Sequence, residues 1–116
     1  MQDTEKKIYY LLKDLGVRPE LEGYKYIKDA LLLLIEEEGN LKITKQIYPM
    51  VAEKFGVNPQ SVERNIRHCI QDVCINTPVE TLYNILGTGS RPNEVWYTNS
   101  NFLARLYEYF KYEYEE

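Results

Sequence analysis

Apolar residues recur along this chain at the three- and four-residue spacing of amphipathic helices, without a useful stretch of period-two alternation. Glycine, asparagine and proline divide this pattern into segments. The predicted helices cover residues 5–15, 22–38, 44–55 and 59–75, a fifth segment that ends at Gly87, and a last one from about residue 99. We therefore predict an all-α fold, a compact six-helix bundle that forms one domain over residues 1–116.

Proline and polar residues define the ends of the middle helices. Asn58 is suited to cap the helix that begins at Pro59, because its side-chain oxygen can accept from an early backbone amide. Pro49 interrupts the preceding segment and must either begin its main helical part or kink it. Thr77 and Glu80 have the spacing of a capping box, which predicts that they satisfy each other's backbone amides at the start of the fifth helix.

Residues 44–75 have the pattern of a helix-turn-helix. This motif needs a small residue where its helices cross, a turn residue that tolerates positive φ, and apolar residues on both sides. Ala52 and Gly56 fill the first two positions, and Val57 and Val62 fill apolar ones. Helical hairpins that bind no nucleic acid show the same pattern. The residues on the polar face of the second helix are therefore needed to tell a DNA-binding motif from such a hairpin.

That polar face combines a carboxylate, two guanidinium groups and the single histidine of the chain. Arginine can fork onto guanine O6 and N7, and glutamate can accept from the cytosine N4 amine, so Glu63, Arg64 and Arg67 are the predicted base contacts. Alternatively, Glu63 is a carboxylate near the helix start that interacts favourably with the helix dipole, and His68 is a solvated side chain. The predicted contacts to the DNA backbone on this helix are Gln60, Ser61, His68 and Gln71.

The distribution of charge both weakens and supports this interpretation. The formal net charge is -4, which argues against a nucleic-acid partner because affinity for phosphates comes from lysine and arginine. Residues 42–71, however, contain five basic and two acidic side chains, a local charge of +3 that leaves -7 for the remainder. Such an asymmetry is compatible with one binding face on an acidic body, and a solvated surface would show it too.

Composition argues against several other functions. With one histidine, no glycine-rich phosphate loop and no Cys/His spacing suited to zinc, we expect neither an enzyme nor a metal or cofactor site. Cys69 and Cys74 point in different directions on one predicted helix, so we expect free thiols. The longest apolar run, residues 30–35, is far below the ~20 residues that cross a bilayer, and no secretion signal is present, so we expect a cytoplasmic location.

Three runs of sequence resemble one known family. They are KITKQIYPMVAEKFGVNPQSVERNIRHCI at residues 42–70, GYKYIKDA at 23–30 and TNSNF at 98–102. Together they are similar to the C-terminal effector domain of the sporulation-initiation response regulator of spore-forming Firmicutes, over essentially the whole chain. The resemblance implies a six-helix domain that binds tandem copies of a DNA box similar to TGTCGAA and regulates transcription. It also implies base contacts from Glu63, Arg64 and Arg67.

The resemblance implies further contacts outside the helix-turn-helix. In the family, a loop before the last helix approaches the phosphate backbone through lysines, and here Arg91 is the candidate replacement. Asn99, at the start of the last helix, is a further predicted contact to the DNA backbone. The family's last helix brings adjacent copies together, so a tandem homodimer is expected, and the sigma subunit of RNA polymerase is a further candidate partner. The residues predicted to serve self-association are Phe102, Leu106, Tyr109 and Phe110.

Two departures from the family pattern leave an alternative open. Residues 94–97 read EVWY where the family has lysines, and the last helix is far richer in tyrosine and acid. The alternative function is an interaction module that does not bind DNA and pairs with a full-length regulator through this helix. The family's phosphorylated receiver domain is not part of this sequence, which fits either an excised fragment or a free-standing protein.

Overall fold

The computed structural model describes residues 3–89 and 96–114. These residues form helices without any strand, so the predicted all-α fold is confirmed. The elements are α1 (Asp3–Leu15), α2 (Glu22–Glu36), a π-helical turn (Ile43–Ile47), α3 (Tyr48–Phe55), α4 (Pro59–Asn76), α5 (Val79–Leu86) and α6 (Asn99–Tyr114).

Helix α2 is the centre of the bundle and packs against α1, α3, α4 and α6. Its helical spacing of apolar residues places one broad stripe in the core. Burial of each large apolar side chain of this kind contributes about 1.5–3 kcal/mol. The buried residues of α2 are Gly23, Tyr26, Ile27, Ala30, Leu31 and Leu34.

Helices α2 and α4 cross in direct contact at Gly23. A Cβ atom at this position would clash with the backbone carbonyl of Asn65 and would lie 2.8 Å from Sγ of Cys69. Only glycine allows such a close backbone approach. Burial raises the pKa of the Cys69 thiol to about 11, and a hydrogen bond from the Gly23 backbone partly opposes this effect.

The turn between α3 and α4 has the predicted chemistry. Pro49 lies in the first turn of α3, so it begins the α-helical part, and the π-helical turn leads into it. Gly56 ends α3 with a left-handed φ of 68°, where glycine avoids the steric cost of a Cβ. The side chain of Asn58 accepts from the backbone N–H of Ser61 at 2.8 Å, which confirms the predicted cap of α4.

The predicted capping box of Thr77 and Glu80 is wrong. Helix α5 begins at Val79, directly after Pro78, and has no side-chain cap. The hydroxyl of Thr77 instead donates to the backbone carbonyl of Leu15 at 3.0 Å. The Leu15 carbonyl lies at the end of α1, where the last carbonyls have no partner within the helix. It accepts from the Thr77 hydroxyl, so this hydroxyl does not cap α5.

The prediction that α6 associates with another copy through four of its side chains needs correction. Phe102, Leu106 and Phe110 are at most 1% exposed and belong to the core of this domain. Another copy could reach them only if α6 separated from the bundle. Tyr109 is partly exposed, and its contact with another copy remains a prediction.

Cys69 and Cys74 are free thiols, as predicted. Within the described part of the chain, no helix combines the length and the apolar character that crossing a membrane requires. The same residues contain no cluster of His, Cys, Asp or Glu side chains that could hold a metal ion.

We predict that Gly23→Ala destabilises the protein, although alanine is the better helix former by about 1 kcal/mol. The added methyl group would overlap the Asn65 carbonyl, and overpacking of this kind costs about 1–3 kcal/mol. Urea unfolding of the two proteins measures the difference. Ala104→Gly, at an exposed position of α6, measures the propensity effect alone. A Gly23→Ala variant at least as stable as the parent would contradict the close crossing.

We predict that the buried Cys69 thiol makes the stability of the protein depend on pH in the alkaline range. The pKa is raised from its ordinary value of 9.0 to about 11 by burial, so the folded state disfavours the thiolate. The associated stability is present below the ordinary value and is lost as the pH rises through the folded value. We expect alkaline pH to destabilise the parent more than Cys69→Ala, as measured by their urea midpoints. Parallel curves would show that Cys69 titrates as an exposed thiol does.

Candidate nucleic-acid interface

Helix α4 separates its apolar and polar residues onto two faces. The apolar face packs in the core, where α4 contacts α2, α3 and α6. Its buried residues are Val62, Ile66, Cys69, Ile70 and Val73. On the polar face, the exposed residues are Gln60, Arg64, His68 and Gln71, and the partly buried ones are Ser61, Glu63 and Arg67. The predicted DNA contacts of this helix therefore lie outside the core.

Glu63 and Arg67 form an ion pair across one turn of α4. Nη2 of Arg67 lies 2.5 Å from Oε1 of Glu63, and the two side chains are 44% and 38% exposed. An ion pair this exposed adds little to folding stability. Its main consequence is that the carboxylate limits the directions in which the guanidinium group can point. Arg64 is exposed and makes no ion pair or hydrogen bond within residues 3–89 and 96–114.

Asn99, the first residue of α6, connects three helices. Its Nδ2 donates to Oη of Tyr48 in α3 at 3.1 Å and to the backbone carbonyl of Glu63 in α4 at 2.9 Å. An amide nitrogen carries two hydrogens, so both donors of this side chain are in use. Phosphate oxygens only accept, and the side chain could donate to DNA only by giving up one of these bonds.

Tyr48 forms the buried end of this connection. The side chain is 5% exposed, and its hydroxyl accepts from Asn99. Burial raises the pKa of Tyr48, and the hydrogen bond from Asn99 opposes this rise. The hydroxyl therefore stays protonated through neutral pH, and in this form its oxygen accepts from the amide.

An open cleft of about 740 Å³ lies beside these residues. One part of its lining comes from α4, with Gln60, Glu63 and Arg67, and another from the start of α6, with Thr98 and Ser100. Two of the three sequence runs that carry the resemblance, at residues 42–70 and 98–102, are thus neighbours in space. Their polar side chains line the cleft together with the rings of Tyr48, Trp96 and Tyr97.

Ion pairs reduce the free positive charge near α4. Of the five basic side chains in residues 42–71, Lys54 pairs with Asp29 at 2.8 Å and Arg67 pairs with Glu63. The other three, Lys42, Lys45 and Arg64, are exposed and make no ion pair with the described parts of the chain. So few free cations favour weak binding to phosphates and a shallow dependence of affinity on salt.

The loop before α6 is attached to the core at its far end. Tyr97 is buried, its hydroxyl donates to the carbonyl of Gly87 at 2.6 Å, and the Arg105 guanidinium lies 5.8 Å from its ring centre. Tyr97 lies in the predicted loop, and this role was not predicted from the sequence. Its only signal was a large ring with a polar end, which suits a buried site with one acceptor. Arg91, the predicted backbone contact in this loop, lies outside the described residues.

A family model described as "Sporulation initiation factor Spo0A C terminal" matches residues 8–110. The match begins within α1, ends within α6 and includes all three sequence runs. The resemblance drawn from the three sequence runs is therefore confirmed.

We predict that Glu63→Gln changes the free energy of unfolding by less than about 0.5 kcal/mol, because exposed pairs one helical turn apart contribute little. The backbone carbonyl of residue 63 remains available to Asn99 in this variant. Urea unfolding at low and moderate salt measures the effect. A large loss that disappears with salt would show that the pair with Arg67 supports the fold itself.

Proposed function

The chain belongs to the family of Spo0A C-terminal domains, the DNA-binding domains of a sporulation regulator, and we propose that its α4 reads a TGTCGAA-like box in the major groove. In a helix-turn-helix, the second helix lies in the groove with its N-terminal half against base edges. Here the second helix is α4, and Glu63, Arg64 and Arg67 lie in its N-terminal and central turns.

The observation that supports this proposal most is the polar face of α4, which is outside the core while the opposite face is fully buried. The free guanidinium of Arg64 can form a bidentate contact with guanine O6 and N7. Arg67 can form the same bidentate contact with another guanine, and its ion pair with Glu63 limits the direction of its guanidinium group. Because Arg67 uses Oε1 of Glu63, the second carboxylate oxygen remains able to accept from a cytosine N4 amine.

The remaining contacts of this interface are proposed around that centre. Side-chain and backbone donors at the start of α4 and along its polar face suit phosphate oxygens, which position a protein on DNA without reading sequence. The proposed phosphate contacts on α4 are Gln60, Ser61, His68 and Gln71. Arg91 is proposed as an additional contact from the loop before α6.

We also propose that two copies bind adjacent boxes as a tandem homodimer. Because most of the predicted α6 contacts are buried, we assign the contact between copies to Tyr109, which is partly exposed, and to Tyr112, which is exposed. The sigma subunit of RNA polymerase is proposed as a further partner. Ile75 at the end of α4 is 80% exposed, and Val79 and Tyr83 are exposed one turn apart on α5, which supports a protein contact in this region.

One observation favours the alternative function. Tyr112 near the end of α6 is 82% exposed, and the acidic residues Glu108 and Glu113 are exposed beside it. Exposed tyrosine is common in protein interfaces. An interaction module that pairs with a full-length regulator would use this end of α6 and would leave α4 free.

We predict that Arg64→Ala and Arg67→Ala each reduce binding to the box by about 1–3 kcal/mol and relax base preference. Fluorescence anisotropy with a duplex of two tandem boxes and with a scrambled duplex, each over a salt series, measures both effects. Because the proposed contacts are to bases, affinity for the scrambled duplex should change much less.

Lys13→Ala is the matched control, because it removes one exposed positive charge from α1, which packs against α2, α5 and α6. It should affect both duplexes equally and only slightly. If all three variants resemble the parent on both duplexes, α4 does not read the box. Tyr112→Ala, which changes an exposed residue of α6 outside the core, would then test whether α6 binds a full-length regulator.

A further inference from the structure

We propose that Asn99 is a positioning residue for base readout: it fixes the part of α4 that carries Glu63 and Arg67, and so sets the direction of the Arg67 guanidinium without touching DNA. This inference rests on the proposed function of α4. It assigns to Asn99 a different role from the phosphate contact that the sequence predicted.

Four residues form a continuous chain of polar contacts. Tyr48 Oη accepts from Asn99 at 3.1 Å, and the Glu63 carbonyl accepts from the same amide nitrogen at 2.9 Å. The Glu63 carboxylate then accepts from Arg67 at 2.5 Å. All four residues line the cleft beside α4. The buried end of the chain is therefore linked to the guanidinium that is proposed to read a base.

The contact to Glu63 acts on the turn that carries both charged groups. In an α-helix, the carbonyl of residue 63 also accepts from the backbone N–H of residue 67. Residues 63 and 67 are thus joined twice, once through the backbone and once through their side chains. By holding this carbonyl, Asn99 ties the turn to α6 and, through Tyr48, to α3.

The chemistry of asparagine suits this role better than a phosphate contact. One side-chain nitrogen supplies two donors, and both meet protein acceptors within the described structure. Aspartate has no such donor, and alanine has none at all. Phosphate offers only acceptors, so a DNA contact from this amide would compete with the bonds that hold α4.

Base readout by Arg67 depends on how firmly the turn of α4 that carries it is held. A bidentate contact needs the planar guanidinium aligned with two base acceptors, which a misdirected side chain cannot achieve. The Glu63–Arg67 pair is about 40% exposed and is weakly held by itself. A site of this kind depends on surrounding residues that fix its geometry.

The test is a double-mutant cycle on DNA preference, measured by anisotropy on the box duplex and the scrambled duplex. Asn99→Ala should reduce the preference for the box about two- to tenfold, with little change on the scrambled duplex. Adding Asn99→Ala to Arg67→Ala should cause no further loss, because the two residues act in series. Adding it to Arg64→Ala should still cause the full loss.

Two further variants keep this test informative. Asn84→Ala makes the same substitution at an exposed position of α5, outside the cleft, and should leave preference unchanged. Tyr48→Phe keeps the buried ring but removes one acceptor of Asn99, and should reduce preference in the same direction even if Asn99→Ala proves too unstable to assay. Thermal unfolding establishes that each variant is folded at the assay temperature.

The outcomes separate this inference from the proposed function. An equal loss on both duplexes after Asn99→Ala would indicate a phosphate contact and overturn the positioning role, as would losses that add fully to those of Arg67→Ala. If the parent protein itself does not prefer the box, the proposed function fails and the inference fails with it. If the parent prefers the box and Asn99→Ala does so equally, only the inference fails.

Discussion

The close crossing of α2 and α4 at Gly23 determines how the rest of this domain is arranged. No Cβ fits between that position and the backbone of Asn65, so the two helices meet along a contact that only glycine permits. The crossing holds the apolar face of α4 in the core. An ion pair outside the core also holds α4 in this orientation, because Arg18 binds Asp72 of α4 at 2.9 Å. The orientation of α4 therefore follows from packing before any functional residue is considered.

The candidate interface is a consequence of that orientation. Once one face of α4 is buried, the opposite face has to remain in contact with solvent, and it carries Glu63, Arg64 and Arg67. Asn99 then adds a second attachment from α6, at the turn where the ion pair lies. A rigid helix with a supported polar face can discriminate between bases, whereas the few free cations around it can supply only modest attraction to phosphates.

Much of this could be predicted from sequence because it depends on local chemistry. Helical periodicity located the helices. Asn58 has the side-chain acceptor that a helix cap requires, and Gly56 has the backbone freedom that a left-handed φ requires. Contacts between distant residues could not be predicted in this way. The Thr77 hydroxyl serves Leu15, which lies in another helix, and Asn99 serves Glu63, which lies 36 positions earlier. Likewise, periodicity could not tell that Phe102 packs inwards rather than against another copy.

The most direct measurement of the central claim leaves the protein unchanged and alters the DNA. Replacing the guanines of the box with 7-deazaguanine removes the N7 acceptor in the major groove but keeps base pairing and phosphate charge. If α4 reads the box through arginine, affinity should fall about three- to tenfold for each contacted guanine, at every salt concentration. Equal affinity for the normal and the 7-deaza duplex would contradict readout of guanine by α4.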